Sequence, residues 1–359
     1  MSIFIAFVIG GAIMGLSGGI YGLKIVPIFI VQFLIYVIIH ELAHGLVAHK
    51  NGLKFSVLYL GPIVFILDNL KIKKIKINKL QQFYLGRAQI DNNEIIDNND
   101  FENHINMWKK ALIAGPISDL ILSITFIVIS IISKNYIFIF TTLSIMFIIS
   151  IPSYLMGDGK HVKLLKKDIL FSELVMYTYS IIGNTDVSNK SRKYLVSRLF
   201  KSLETCTLNK ENIINISAIL GILYQVYFID EINSLPRNNE EIIDKVIEYK
   251  EIILKEKIEQ TYFKSLISSC IIYNVIYLEN IDKSLNLYNQ VKDLKFNLPG
   301  EKLDLFRVEH ILKIENRKNE LENDKYMNPL FIECKGVYEM ETKINKKIID
   351  FIEENKACN

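Results

Sequence analysis

Residues 25–48 read IVPIFIVQFLIYVIIHELAHGLVA, and their ionisable groups are His40, Glu41 and His44. A bilayer core about 30 Å thick is crossed by about 20 apolar residues in a helix, so this stretch predicts a membrane span. On a helix, His40 and His44 share one face, and both imidazoles reach a single metal ion. Glu41 lies beside that ion, placed to take a proton from bound water, whose pKa zinc lowers to about 7. Three ionisable groups near the end of a lipid-embedded helix are costly, about 2.5–3.5 kcal/mol for an acid at mid-bilayer. A metal ion would compensate; the competing reading is an interfacial histidine cluster reaching toward water.

Three more stretches have the length and apolarity of spans. Residues 3–23 carry no charge, 111–133 carry Asp119, and 136–156 carry none but are followed at once by Asp158. The links at Lys24 and at Lys134-Asn135 are very short, whereas the loop 49–110 is long and begins with Lys50, Lys54, Lys71, Lys73, Lys74, Lys76 and Lys79. Lys109 and Lys110 precede the third span, and Lys160, Lys163, Lys166 and Lys167 follow the fourth. All basic clusters then fall on one side, which the positive-inside bias assigns to the cytoplasm together with the N-terminus, the loop and everything after residue 160.

A catalytic zinc site needs a third protein ligand and an open fourth position. Asp158 is expected at the same membrane depth as His40 and His44, and Gly157 and Gly159 permit a turn that aims it inward. His161 competes for the role. Asp119, inside the third span, either supports a ligating histidine or makes a structural pairing. The six glycines between Gly10 and Gly22 suit close packing in lipid, either ordinary or of an extra helix gating the bundle. The loop 66–108 ends in a run rich in Asp and Asn, 91–100, and that composition reads as a flexible linker. Lys71–Lys79 alternates with isoleucines and reads as a segment lying on anionic lipid.

Charge density divides the chain. Residues 1–159 hold 12 Lys/Arg and 9 Asp/Glu, against totals of 42 and 39, which leaves 30 of each in residues 160–359. Beyond 160, apolar residues recur at helical spacing (Ile242, Ile243, Val246, Ile247, for example), and 269–294 reads as a helix pair with Asp282 as a cap. The four scattered cysteines exclude a disulfide scaffold, and a net charge of +3 disfavours nucleic acid as a partner.

In this order the motifs resemble the site-2 protease family of intramembrane zinc metalloproteases, peptidase family M50. The resemblance covers about residues 25–160. It rests on His40-Glu41-Leu42-Ala43-His44, on the stretch Gly52–Phe65 with its Gly61-Pro62 turn, on Ala114-Gly115-Pro116-Ile117-Ser118-Asp119, and on Pro152 through Asp158-Gly159. The second stretch is similar to the family's membrane-associated β-hairpin, here about 52–66. In the third, Asp119 stands where Asn is usual. In the fourth, the family's Asn falls on Ile149 when counted from Pro152 and on Ser150 when counted back from Asp158.

The resemblance implies one Zn²⁺ per chain held by His40, His44 and Asp158, Glu41 as general base, and Ser150 and Gly61 as candidates to hold the substrate backbone or oxyanion. The expected fold is an all-α polytopic membrane domain, 1–160, with a β-hairpin, then an all-α, possibly tetratricopeptide-like cytoplasmic domain, 161–359. The expected activity is intramembrane endopeptidase action on a membrane-embedded peptide or protein, with the lipid bilayer and a protein bound by the C-terminal domain as partners. The alternatives are a non-catalytic zinc-binding pseudoprotease or peptide immunity/export component, and, more weakly, a transporter.

Overall fold

A computed structural model describes residues 20–77, 84–182, 187–255, 257–323 and 335–357. Two compact units are present: one runs to Asp91 and includes Glu102–Lys167, and the other comprises Asn92–Phe101 and the chain from Asp168 onward.

The first unit is organised by long helices. Helix α1 spans Ile20–Lys50 and α2 spans Asn98–Ser133. A third helical run comprises α3 (Ile137–Ile145), a π-turn (Met146–Ser150), α4 (Ile151–Met156) and α5 (Asp158–Lys167). Three stretches, Ile25–Lys50, Asn98–Ser133 and Ile137–Lys167, are long and apolar enough to cross a membrane. They contain the expected spans 25–48 and 111–133 and all of 136–156 but Tyr136; the expected first span, 3–23, lies almost wholly outside the described residues. Val31, Leu34 and Ile38 on α1, and Ile121, Ile124, Val128 and Ile132 on α2, remain exposed. Lipid tails solvate such side chains as well as a protein core does. Inside the bundle, Phe29, Phe33, Tyr36 and Ile145 form a core flanked by Leu122, Phe126, Ile148 and Ile149.

Helix α1 ends where its chemistry dictates. Gly52 takes φ 97°, a left-handed conformation natural to glycine, and Leu53 N–H returns to Ala48 O at 3.0 Å. The chain then forms four strands: β1 (Lys54–Gly61), β2 (Ile63–Asp68), β3 (Lys71–Ile77) and β4 (Tyr84–Asp91). They pair antiparallel in the order β3-β2-β1-β4. Gly61 and Pro62 turn β1 into β2, and Asn69 and Leu70, at φ 47° and 63°, make the two-residue turn into β3.

The expected hairpin 52–66 is therefore half of a four-stranded sheet, which corrects the all-α reading of this unit. The expected flexible linker is also corrected. Its central part is β3 and β4, and its Asp/Asn-rich end is fixed in the second unit. There, Asn92 is buried and donates to Met176 O at 2.9 Å, Ile95 N–H donates to Ser191 Oγ at 3.0 Å, and the Arg198 guanidinium lies 3.9 Å from the Phe101 ring centre. Asp97 caps the start of α2 by accepting from Asp100 N–H.

The rest of the second unit is helical in its described residues: α6 (Ile169–Ile182), α7 (Asn189–Thr205), α8 (Ile213–Phe228), α9 (Asn239–Glu248), α10 (Lys250–Ile253), α11 (Lys257–Ile276), α12 (Ile281–Val291), α13 (Pro299–Ile311), α14 (Lys318–Leu321) and α15 (Lys335–Ala357). Helix α11 packs on α8, α12 and α13 and contributes the buried Phe263, Leu266, Ile267 and Ile271. The expected helix pair in 269–294 is α11 with α12. The cap is Asn280, which accepts from Lys283 N–H at 3.0 Å, and Asp282 sits instead in the first turn.

Arg307 on α13 ties this unit together. It donates to Asn345 Oδ1 at 2.7 Å and pairs with Asp304 and Glu341, while Asn345 donates to Leu321 O. Burial, reinforced by Glu341, pushes the Asp304 carboxyl up from 3.8 to about 7 against the pull of Arg307. Between those two values the folded chain keeps a proton that the unfolded chain has released. The stability contribution is therefore full below about pH 4 and is lost as pH rises through about 7. After correction for intrinsic rates, amides of α13 should exchange faster at pH 8 than at pH 5, and Asp304→Asn should flatten that dependence.

Candidate metal centre

The His-Glu-x-x-His stretch lies on α1, where 3.6 residues per turn stack His40 over His44. Both histidines are buried, and their rings meet edge to face with centres 4.6 Å apart. Helix α2 fixes the outer nitrogen of each. Asp119 Oδ2 lies 3.0 Å from His40 Nδ1, and Ala111 O lies 2.8 Å from His44 Nδ1. With both Nδ1 atoms so engaged, the two Nε2 atoms are left available to a metal.

Asp158 comes to those nitrogens from the third helical run. Gly157 breaks that run with φ −100° and ψ −116°, and a Cβ on Gly159 would collide with Tyr154 O. This tight break turns Asp158 inward, as the two flanking glycines led us to expect. Its Oδ2 lies 3.2 Å from His40 Nε2 and 3.5 Å from His44 Nε2, and it accepts from Ser153 Oγ at 2.8 Å. Tetrahedral zinc, with bonds of about 2.0–2.2 Å, sets its donors about 3.3–3.5 Å apart. The observed spacings match that requirement, so the donor set fits zinc. His40, His44 and Asp158 form a possible metal-holding group among the described residues; His161, a turn further on, is exposed and outside it.

Glu41 is held by the sheet. Its Oε2 accepts from the Ala88 backbone N–H of β4 at 2.7 Å. Close approach of β4 requires Gly86, where a Cβ would lie 2.6 Å from Val37 Cγ1 and 2.8 Å from Glu41 Cγ. One turn further along α1, Gly45 makes room for the Phe55 ring of β1. On the other side of α1, a Cβ on Gly115 would collide with the imidazoles of both His40 and His44. The glycine of the Ala114-Gly115-Pro116 motif is thus the gap through which α2 reaches the two rings.

The remaining sequence-derived candidates divide. Ile149 joins the apolar core around Phe29 and Phe33, whereas Ser150 Oγ is buried with no hydrogen-bond partner among the described residues. Gly61 sits at the β1–β2 turn with φ 59°, opposite Tyr84 in the sheet register, and its contacts described here are with the sheet. Ala88, Gly86, Ala111 and Ser153 were not legible as site residues. Two of them act through backbone atoms, which leave no side-chain signature. Gly86 alone carried a signal, as a glycine inside a strand marking a close backbone approach.

Gly115→Ala should force α2 away from α1 and disturb both imidazoles. Zinc affinity of the purified protein, read by competition with a chromophoric chelator, should fall at least tenfold. Asp119→Ala should cost about 10–100-fold in the same assay.

The chain matches no curated protein and no solved structure. The family described as Peptidase family M50 matches residues 28–254, well over half of the chain.

Proposed function

Because the chain belongs to peptidase family M50, we propose that it is a zinc-dependent intramembrane endopeptidase whose metal ligands are His40, His44 and Asp158 and whose general base is Glu41. The family is one of metalloproteases, and three apolar helices make this chain a membrane protein. One observation carries the finer reading: two imidazole Nε2 atoms and one carboxylate oxygen converge at zinc spacing, with Glu41 on the same helix one residue from the first of them.

A zinc ion bound there supplies Lewis acidity, lowering the pKa of water to about 7 and polarising the scissile carbonyl. The chain's own groups do the rest. Asp119 and Ala111 O hold the imidazoles in the tautomer that turns Nε2 inward, and Asp119 adds negative charge that strengthens His40 as a donor. Glu41, steadied by the Ala88 amide, accepts the proton of the attacking water and returns it to the leaving amine. Ser150, whose hydroxyl has no partner among the described residues, is our candidate donor to the developing oxyanion; Gly61 is the alternative. Among the described residues β4 pairs with β1 on one side only, and its outer edge beyond the Ala88 amide that Glu41 takes is our candidate for backbone pairing with an extended substrate segment.

The substrate we propose is a membrane-spanning peptide or protein, such as a small signal or bacteriocin-type precursor or a membrane-tethered regulator. We place the N-terminus, the loop and the helical unit on the cytoplasmic side, from the lysine distribution. The helical unit, which we read as tetratricopeptide-like, is proposed to bind a protein partner. The competing reading is a pseudoprotease or immunity/export component that holds a peptide without cutting it. Its support is Ile149, an apolar residue in one of the two positions where the resemblance expects Asn.

Glu41 separates the two. Purified Glu41→Gln should keep about one zinc per chain by elemental analysis and lose at least a hundredfold in cleavage of co-expressed membrane-spanning precursors. Equal precursor accumulation with the native chain and the variant would reject the protease reading for those precursors. Asp158→Ala should lose the zinc, and retention of a full equivalent would refute its ligand role.

A further inference from the structure

Strand β3 of the hairpin β2–β3 has an isoleucine side and a lysine side, and an extra residue creates them. Ile72 has the opposite parity in sequence to Ile75 and Ile77, so in a regular strand they would point to opposite sides. The register shows Leu67 opposite Ile72 but Ile66 opposite Lys74, which leaves Lys73 as an extra residue in a bulge. Cross-strand partners share a face. Ile63 pairs with Ile77, Phe65 with Ile75 and Leu67 with Ile72, so all six lie on one face. Lys74, Lys76 and Lys71 pair with Ile66, Val64 and Asp68 and lie on the other.

The apolar face can be followed across the sheet to the membrane helix. The row Ile75–Phe65–Leu58–Ala88 is continuous in register. Ile90, two residues from Ala88 along β4, is on that same face, and its cross-strand partner Phe55 abuts Gly45 of α1. The face that packs on a membrane-spanning helix near β4 therefore continues beyond it as an open isoleucine surface. Ile63 is 42% exposed, Ile72 58%, Ile75 58% and Ile77 72%. Residues 63–77 carry four lysines, Lys71, Lys73, Lys74 and Lys76, against one acid, Asp68. The lysines also guard a sheet edge that has no further strand among the described residues.

We propose that β2–β3 is a lipid-recognition element that lies in the bilayer interface, with its isoleucine face toward acyl chains and its lysines toward anionic phospholipid headgroups. Water would leave four isoleucines exposed, and a neutral headgroup layer would leave the lysine excess unbalanced. An anionic interface satisfies both faces, and each lysine near such a surface favours association about fivefold. The inference rests on the membrane reading of α1 and not on catalysis.

The test uses the full chain in nanodiscs, with its native cysteines replaced by serine and an environment-sensitive fluorophore on either Ile75→Cys or Lys74→Cys. Spin-labelled lipid should quench the label at 75 at least twice as strongly as the label at 74, and aqueous iodide should show the reverse order. Raising phosphatidylglycerol from none to 30% in phosphatidylcholine should increase lipid quenching at 75 at least twofold. Replacing Lys71, Lys73, Lys74 and Lys76 by Gln should abolish that increase. Iodide access at 75 equal to that at 74 would overturn the proposal. So would shielding of 75 from both quenchers, which would mean that protein covers the face. A response to phosphatidylglycerol that survives the four Gln substitutions would overturn headgroup recognition.

Discussion

The centre depends on two hydrogen bonds made at the backs of the imidazoles. A neutral histidine has one donor and one acceptor nitrogen, and a ligand histidine must present the acceptor inward. Helix α2 settles this for both rings through Asp119 at His40 and Ala111 O at His44. It can do so only because Gly115 lets it approach within contact of the rings. A hydrocarbon environment sharpens the constraint, since a polar group left unmatched there has no water to fall back on. Tyr36 and Ser123 illustrate the same economy one turn away: their hydroxyls lie 2.7 Å apart, and Ser123 in turn donates to Asp119 O.

The sheet is the second constraint, and it works on a different residue. α2 orients the ligands, whereas β4 holds Glu41, and each reaches α1 through its own glycine. The centre is thus gripped from two sides by elements of different geometry. A helix side chain and a helix carbonyl fix what should hold the metal, and a strand amide fixes what should move the proton.

Much of this was written plainly in the sequence. His40, Glu41 and His44 announce themselves by spacing, and Asp158 by its place after an apolar stretch and between two glycines. Asp119 was legible as an acid where an acid is costly. What was missed has physical reasons. Strand β4 contains Gly86, Arg87, Ala88 and Gln89, which offer no apolar alternation, because it is an edge strand and α1 covers it locally. Strand β3 looked like an irregular lysine strip because the bulge at Lys73 breaks the period of two on which strand recognition relies. The ambiguity between Ile149 and Ser150 arises because Pro152 and Asp158 stand one residue further apart than the motif expects, so counting from each gives a different answer; the fold packs Ile149 against the core. The linker reading failed on composition: Asp91 and Asn92 are polar but fully buried, because they are hydrogen-bonded rather than solvated.

The split origin of the three ligand groups has a consequence in time. His40 and Asp158 are 118 residues apart in the chain. At about 5–20 residues per second, the ribosome delivers the third group roughly 6–24 s after the first. Two imidazoles alone make an incomplete donor set, so on the proposed function hydrolytic capacity waits for Asp158. A nascent or truncated chain that stops before the third helical run carries the histidines and the acid but no tool with which to cut its neighbours.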